Sequence, residues 1–258
     1  MYLAFLVAAA AVVCGAASSN VNRHMKLLDV DNRIQSNLAI SRVPPRRSIT
    51  FTKRPPAKLV HRPGSTVELT CEAIAAPAPS VHWFRNDVPV YEYDKESNEI
   101  LDSNPTSLAR VSSTLLLSRA EETAKYTCLV VSGSKTARRS SVVFNIDGGT
   151  DLSERSKLAP LSPRVLVWYK VFVDVMGSNV ALPCRVRGHP RPHIIWRDHY
   201  GNDVKSDPRM KVLRSGELVI SNLSWSDMGE FSCTATNMFG SAEITTFLYP
   251  AKPSDTSD

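Results

Sequence analysis

The chain of 258 residues is long enough for two domains of about 100 residues each. Its net charge of +6 indicates either a solvated surface with a basic bias or moderate attraction to acidic partners, and no motif supports a nucleic-acid-binding function. No stretch approaches the ~20 consecutive apolar residues of a membrane-spanning helix, so insertion into a membrane is not expected.

The first 17 residues have the composition of a secretory signal. Residues 1–17 carry no charged side chain, contain an apolar run from Leu3 to Val13, and end in small residues. They predict cleavage near Ala17 and an extracellular, secreted protein. Residues 18–48 lack sustained periodicity, which predicts a disordered N-terminal extension.

Residues 49–147 are predicted to form the first domain. Leu69 and Cys71 share the apolar face of a segment that alternates between apolar and polar residues, which is typical of a half-buried antiparallel strand. Trp83 follows Cys71 by twelve residues, and Cys128 lies within a second predicted strand over residues 124–131.

Two features of this domain depart from a regular pattern. Residues 91–105 are acidic and too polar for a core strand. At the corner before Cys128, Glu122 and Ala124 occupy positions where aspartate and glycine are usual. This corner must therefore tolerate a Cβ atom that a glycine would lack.

The remainder of the chain is divided into a linker over 148–163, a second domain over 164–250 and a polar tail over 251–258. The second domain repeats the spacing of the first, because Trp196 follows Cys184 by twelve residues. Its corner has the regular order of an acidic residue, a glycine, an aromatic residue and a cysteine over residues 227–233.

This doubled pattern of cysteine, tryptophan, aromatic residue and cysteine is typical of the immunoglobulin sandwich. It predicts an all-β fold of two tandem immunoglobulin-like β-sandwiches of the I-set or C2 type. Cys14 leaves with the signal segment, and the four remaining cysteines allow three pairings. Only Cys71–Cys128 and Cys184–Cys233 keep each disulfide within one sandwich. The paired C-x-x-C spacing of a zinc site is absent.

The first strand of the second domain is apolar on both faces. Val171, Val173 and Val175 are predicted to enter the second core. The opposite face carries three larger apolar side chains, Leu166, Trp168 and Phe172. Such a strand is either covered by the first domain or marks an interaction surface, and both interpretations fit the sequence.

The sequence contains no nucleophile elbow, no H-E-x-x-H pair and no glycine-rich phosphate loop, so a non-enzymatic protein without cofactor is predicted. His189, His193 and His199 surround a predicted turn and strand, where their spacing does not predict a metal site. Asn222 begins the single N-glycosylation sequon and is predicted to face solvent.

Several runs resemble a more particular family. Residues 51–59 and 174–186 resemble the starts of the two domains in the family of the insect neural/ectodermal development factor, whose members are secreted and have two immunoglobulin domains. Residues 132–136 and 246–250 are similar to further parts of it, and the resemblance covers roughly residues 51–250. It implies that the protein sequesters insulin-like peptides outside the cell and so lowers signalling through their receptor.

Such hormones present aliphatic and aromatic side chains, so a binder should offer an apolar patch with a polar rim. The candidate contact residues are Leu166, Trp168, Phe172, Met238 and Phe239. The alternative is an extracellular adhesion or matrix protein that binds cell-surface proteins or sulfated glycans. Its candidate basic residues are Arg185, Arg187, Arg191, Lys135, Arg138 and Arg139.

Overall fold

The computed structural model describes residues 48–62, 65–90, 104–117, 122–145 and 160–253. The predicted signal segment, nearly all of the N-terminal extension, most of the linker, most of the acidic segment and most of the tail lie outside the described residues. Within the described ranges, no helix is long and apolar enough to cross a membrane.

The first domain is a sandwich of two sheets. Its described strands are β1 (Thr50–Lys53), β2 (Lys58–His61), β3 (Val67–Ala75), β4 (Ser80–Arg85), β5 (Val88–Pro89), β6 (Leu108–Leu117), β7 (Ala124–Ser132) and β8 (Lys135–Asn145). One layer has the order β1-β3-β6 and the other the order β2-β8-β7-β4-β5. All neighbouring strands are antiparallel except β2 and β8, which are parallel.

The second domain repeats this plan. Its described strands are β9 (Leu161–Val175), β10 (Val180–Leu182), β11 (Cys184–His189), β12 (His193–Arg197), β13 (Met210–Val212), β14 (Leu218–Ile220), β15 (Gly229–Asn237) and β16 (Gly240–Ala251). Short 3-10 helices span Val204–Ser206 and Trp225–Asp227. Strand β9 begins at Leu161, inside the segment expected to be linker.

The cores confirm the predicted fold class. The two predicted disulfides are present, Cys71–Cys128 in the first domain and Cys184–Cys233 in the second. Each lies in a core cluster with a buried tryptophan. The indole N–H of Trp83 donates to Ser113 Oγ at 3.0 Å, and that of Trp196 donates to the Gly216 carbonyl at 2.9 Å. Both indoles are therefore buried without an unpaired donor.

The corner before strand β15 is fixed by an ion pair. Arg209 donates to both carboxylate oxygens of Asp227, at 2.8 and 2.9 Å. Burial alone would raise the pKa of Asp227, but the hydrogen bonds and charge of Arg209 and the hydrogen bonds from Ser224 lower it below its ordinary value. A Cβ atom on Gly229, whose φ is +148°, would lie 2.6 Å from His199 Cβ, so glycine is required here.

The corresponding corner of the first domain is built differently. Ala124 is buried in the first core and does not adopt a positive φ. Its Cβ atom is therefore accommodated without backbone strain, which explains how this domain tolerates alanine where the second domain needs glycine.

The two domains share one continuous sheet of order β1-β3-β6-β9-β16-β15-β12. Strand β9 lies antiparallel to β6, with pairs from Leu108 and Val173 to Ser113 and Val167. In the second domain, β14 lies between β10 and β13. In the first domain, β6 has β3 on one side and β9 on the other. In this comparison β6 corresponds to β14. Strand β9, the first strand of the second domain, pairs with β6 on the side where β13 pairs with β14.

A bulge in β9 changes which side chains enter the second core. Arg110 pairs with Val171 while Val111 pairs with Tyr169, so Lys170 is an extra residue on the β9 side. Phe172 consequently lies in the second core cluster, and the prediction that Val171 and its alternate neighbours enter that core is wrong. Of the two interpretations of the doubly apolar strand, the structure supports coverage by the first domain.

Residues of the first domain also reach the second core. Ala78 and Ala109 belong to the same buried cluster as Phe172. Tyr169 packs against both cores and stacks on Phe172 with ring centroids 5.2 Å apart. Its hydroxyl donates to the Pro79 carbonyl at 3.4 Å. The domains are therefore packed together as well as hydrogen-bonded along the sheet.

A buried carboxylate crosses the joint between the domains. Glu72 on β3 is 4% exposed, and it accepts from Arg110 at 3.0 Å and from Lys170, on the bulge of β9, at 2.6 Å. Burial alone would raise the pKa of Glu72, but the hydrogen bonds and charges of Lys170 and Arg110 outweigh burial and lower it below its ordinary value. This ion triad connects three neighbouring strands from two domains.

Replacing Glu72 with Gln should destabilise the protein by about 2 kcal/mol, because two cations would face a neutral amide in a partly buried site. The two cationic side chains are more than a third exposed, so hydration should offset part of the larger loss expected for a fully buried pair. Urea denaturation measures the change. Glu68→Gln on the same polar face of β3 is the matched control, since Glu68 is exposed. Equal destabilisation by both substitutions would contradict the assigned role.

The same carboxylate should make stability depend on acidity. Because the folded-state pKa of Glu72 lies below its ordinary value of 4.5, its stabilising contribution is complete above pH 4.5 and is lost as pH falls through the folded-state pKa. The melting temperatures of the wild type and of Glu72→Gln should therefore approach each other as the pH is lowered from 6 to about 3. A constant difference over that interval would show that the charge of Glu72 is not responsible.

Candidate binding surface

The five apolar residues proposed as contacts differ in accessibility. Leu166 is 1% exposed and Phe172 is 5% exposed, so neither can contact a partner in this conformation. Trp168 is half-buried on β9, between Ser112 of β6 and Cys184 of β11. Met238 is 79% exposed and Phe239 is 45% exposed. The expected surface is therefore reduced to the turn between β15 and β16, with Trp168 at a second location.

These two locations are well separated. A Cβ atom on Gly240, at the end of the turn, would lie 3.7 Å from Ser162 Cβ. Trp168 follows Ser162 by six residues along the same extended strand, which corresponds to roughly 20 Å. Trp168 and the turn consequently do not form one patch.

The turn itself is held by one amide side chain. Asn237 Nδ2 donates to the Leu161 carbonyl at 2.8 Å and to the Pro190 carbonyl at 3.0 Å. Its Oδ1 atom accepts from the backbone N–H of Phe239 at 2.9 Å. These bonds connect the turn to the start of β9 and to the turn between β11 and β12. Met238 and Phe239 are thus displayed at a fixed position, which lowers the entropy lost when a partner binds.

Two other apolar pairs with at least one exposed member occur among the described residues. Val60 and Phe144 are cross-strand neighbours on β2 and β8 and are 49% and 37% exposed. Trp225 contacts Tyr249 edge-on with ring centroids 6.0 Å apart. Sequence analysis missed both pairs, because their members are separated in sequence by more than twenty residues and meet only through the fold.

Arg185 and Arg139, two of the six basic candidates, each contact a specific side chain. Arg185 forms an ion pair with Glu217, which is buried. The guanidinium of Arg139 lies 4.5 Å above the ring of Phe51. Lys135 and Arg138 are exposed on β8 of the first domain, whereas the remaining candidates lie on β11 and the turn after it in the second domain. The six residues therefore do not form a single site.

The described residues contain no group of three His, Cys, Asp or Glu side chains arranged to hold a metal ion. His199, one of the three histidines near β12, instead packs its ring 3.9 Å from the centroid of Tyr200 and 6.4 Å from that of Phe231. Its role in this structure is packing beside the Gly229 corner.

The sequon residue Asn222 lies in the turn before the second 3-10 helix. It is exposed, with φ of +53°, a left-handed conformation that asparagine tolerates. Its backbone N–H donates to Asn179 Oδ1 at 3.0 Å, and its carbonyl accepts from Arg209 at 3.3 Å. The backbone is fixed while the side chain faces solvent.

Two disulfide-bonded sandwiches that present exposed turns define an immunoglobulin-superfamily protein. The profile of the Immunoglobulin I-set domain matches residues 166–249, and that of the Immunoglobulin domain matches residues 44–132. The neural/ectodermal development factor IMP-L2 of Drosophila melanogaster is 32% identical over 251 residues, which cover 94% of each chain. The chain therefore belongs to the family of this factor.

Two further comparisons agree. The Zwei Ig domain protein zig-2 of Caenorhabditis elegans is 26% identical over 244 residues, covering 91% of this chain and 93% of the relative. The crystal structure of IMP-L2 superimposes with a TM-score of 0.71 at 33% identity, covering 81% of this chain and 97% of that chain. The similarity thus extends over both domains.

We expect Asn222 to carry an N-linked glycan, because the sequon is accessible on a fixed turn. Protein secreted from eukaryotic cells should lose the mass of one glycan on treatment with an amidase that cleaves N-linked glycans. The Asn222→Gln variant should show no such change. An unchanged mass of the treated wild type would rule out modification.

Proposed function

We propose that the protein is secreted and binds insulin-like peptides, which lowers the concentration of free hormone and antagonises signalling through the insulin receptor. The observation that supports this most directly is the 32% identity with IMP-L2 over 94% of both chains. The family resemblance recognised in residues 51–59 and 174–186 implies the same ligand class. The fold itself indicates a binding protein without naming the ligand.

The turn of Met238 and Phe239 is the proposed hormone contact. A thioether chain and an aromatic ring, both exposed and placed side by side, match the apolar side chains that a peptide hormone would present. The exposed guanidinium of Arg191 lies on the neighbouring turn and provides part of a polar rim. Leu166 and Phe172 are buried parts of β9 and are not proposed as contacts.

Replacing both Met238 and Phe239 with Ala should weaken hormone binding by roughly tenfold or more, about 1.4 kcal/mol, because the apolar contact area is lost. The melting temperature should change little, since Met238 is largely exposed and Phe239 is nearly half exposed. Titration with a fluorescent insulin-like peptide measures the affinity. The matched control is Val60→Ala with Phe144→Ala, an exposed apolar pair on the first domain.

The titration also distinguishes the alternatives. Salt at ~1 M should leave an apolar contact largely intact but should abolish a contact made by exposed charges. A loss of affinity on Trp168→Ala, with none on the double substitution, would place the hormone at the joint between the domains. No saturable binding by the wild type at micromolar protein would overturn the proposed function.

A further inference from the structure

Apolar side chains lie on the outer face of the sheet that the two domains share. Phe172 and Leu248 are directly paired across β9 and β16, and both lie in the second core. Successive side chains of a strand point to opposite faces, so their neighbours Val171 and Phe247, which also pair directly, point away from that core. Both are half-buried. Val171, wrongly predicted to enter the second core, therefore forms part of a surface.

A second row of apolar side chains adjoins the first. Val173 pairs with Tyr249 on β16 and with Leu108 on β6, and all three are half-buried. The ring of Trp225, which is 49% exposed, contacts that of Tyr249 edge-on. We define the outer apolar face by these residues: Leu108, Val171, Val173, Trp225, Phe247 and Tyr249.

The apolar character is confined to one end of β16. The residues that precede Phe247 on the same face of this strand are Ser241, Glu243 and Thr245, and all three are exposed. Polar residues are expected wherever one face of an antiparallel sheet is solvated. The change to aromatic residues at Phe247 and Tyr249 is typical of a surface that contacts another protein.

The charges at the two ends of the first row have opposite sign. The row consists, in strand order, of Arg110, Val171, Phe247 and Glu230, each directly paired with the next. Arg110 and Lys170 share the single carboxylate of Glu72, so these two cations and one anion carry a net positive charge, and both cations are more than a third exposed. Glu230 is exposed and forms no ion pair among the described residues.

We propose that the outer apolar face is the contact between two copies of this chain. A twofold axis in the contact plane, parallel to the strands and between β9 and β16, places β6 of one copy over β15 of the other. Glu230 of each copy then faces the net positive group of Glu72, Arg110 and Lys170 in the other copy. The apolar residues meet at the centre, where two sheets pack face to face at ~10 Å.

The size of the face indicates a weak dimer. The face is four strands wide, or roughly 19 Å, and two rows long, so two copies bury less than the ~1,600 Å² of a standard interface. We therefore expect a dissociation constant of about 1–100 μM. The turn of Met238 and Phe239 lies at the other end of β16, roughly 23 Å from Phe247, so the dimer does not depend on the proposed hormone contact.

Sedimentation velocity of the complete two-domain protein tests the proposal. The wild type should change from monomer to dimer as its concentration is raised from about 0.1 to about 200 μM. Val171→Ala with Phe247→Ala should weaken the dimer roughly tenfold or more, because apolar contact area is lost at the centre. The matched control is Val60→Ala with Phe144→Ala, the same residue types as a directly paired couple on the first domain, and it should stay within about threefold of the wild type.

A charge reversal tests the two ends of the row without touching the apolar residues. Glu230→Arg should weaken the dimer roughly tenfold or more, because the new cation would face Arg110 and Lys170 of the other copy. The melting temperature should change little, since Glu230 is exposed. Glu122→Arg makes the same change of charge at an exposed position on the first domain and should leave the dimer intact.

Three outcomes would overturn the proposal. A wild type that remains monomeric over the whole concentration range would exclude the dimer. Equal weakening by each variant and its control would show that association does not use this face. A monomeric wild type whose binding of a fluorescent insulin-like peptide is lost on Val171→Ala with Phe247→Ala would assign the face to the hormone. Weakening of the dimer only by the variants of this face would support the proposal, whatever the outcome of the hormone titration.

Discussion

The antiparallel pairing of β6 with β9 is the contact on which the rest of the structure depends. Without it, a ten-residue strand of the first domain would present an unpaired edge, which is a site of aggregation in β proteins. The same pairing places β9 between the two cores, where Val167 packs against the first core, Phe172 lies in the second and Tyr169 packs against both. Glu72 and Lys170 then fix the register at the bulge where β9 passes from one domain to the other.

Patterns confined to one domain were predictable from the sequence. The spacing of Cys71, Trp83 and Cys128 predicts a sandwich because a disulfide and an indole must meet in one core, and the structure confirms this geometry. The faces of β9 could not be predicted in the same way. Strict alternation puts Phe172 on the face of Leu166 and Trp168, opposite Tyr169. The bulge at Lys170 instead brings Phe172 to the same core as Tyr169, and this bulge depends on a partner strand more than fifty residues earlier.

The candidate binding surface was likewise predictable only where it depends on a single segment of the chain. The sequence identifies Met238 and Phe239 as residues of a turn, and exposure there follows from the turn itself. It cannot show that Leu166 is covered or that Arg185 has a buried partner thirty-two residues away, because both results depend on contacts between distant segments.

Asn237 connects the proposed hormone contact to the body of the second domain. Its side-chain amide donates to the carbonyls of both Leu161 and Pro190, so the apolar turn is fixed relative to β9 and to the turn after β11. A partner that binds Met238 and Phe239 would therefore meet a preformed surface, and less conformational entropy would be lost on binding than at a mobile turn.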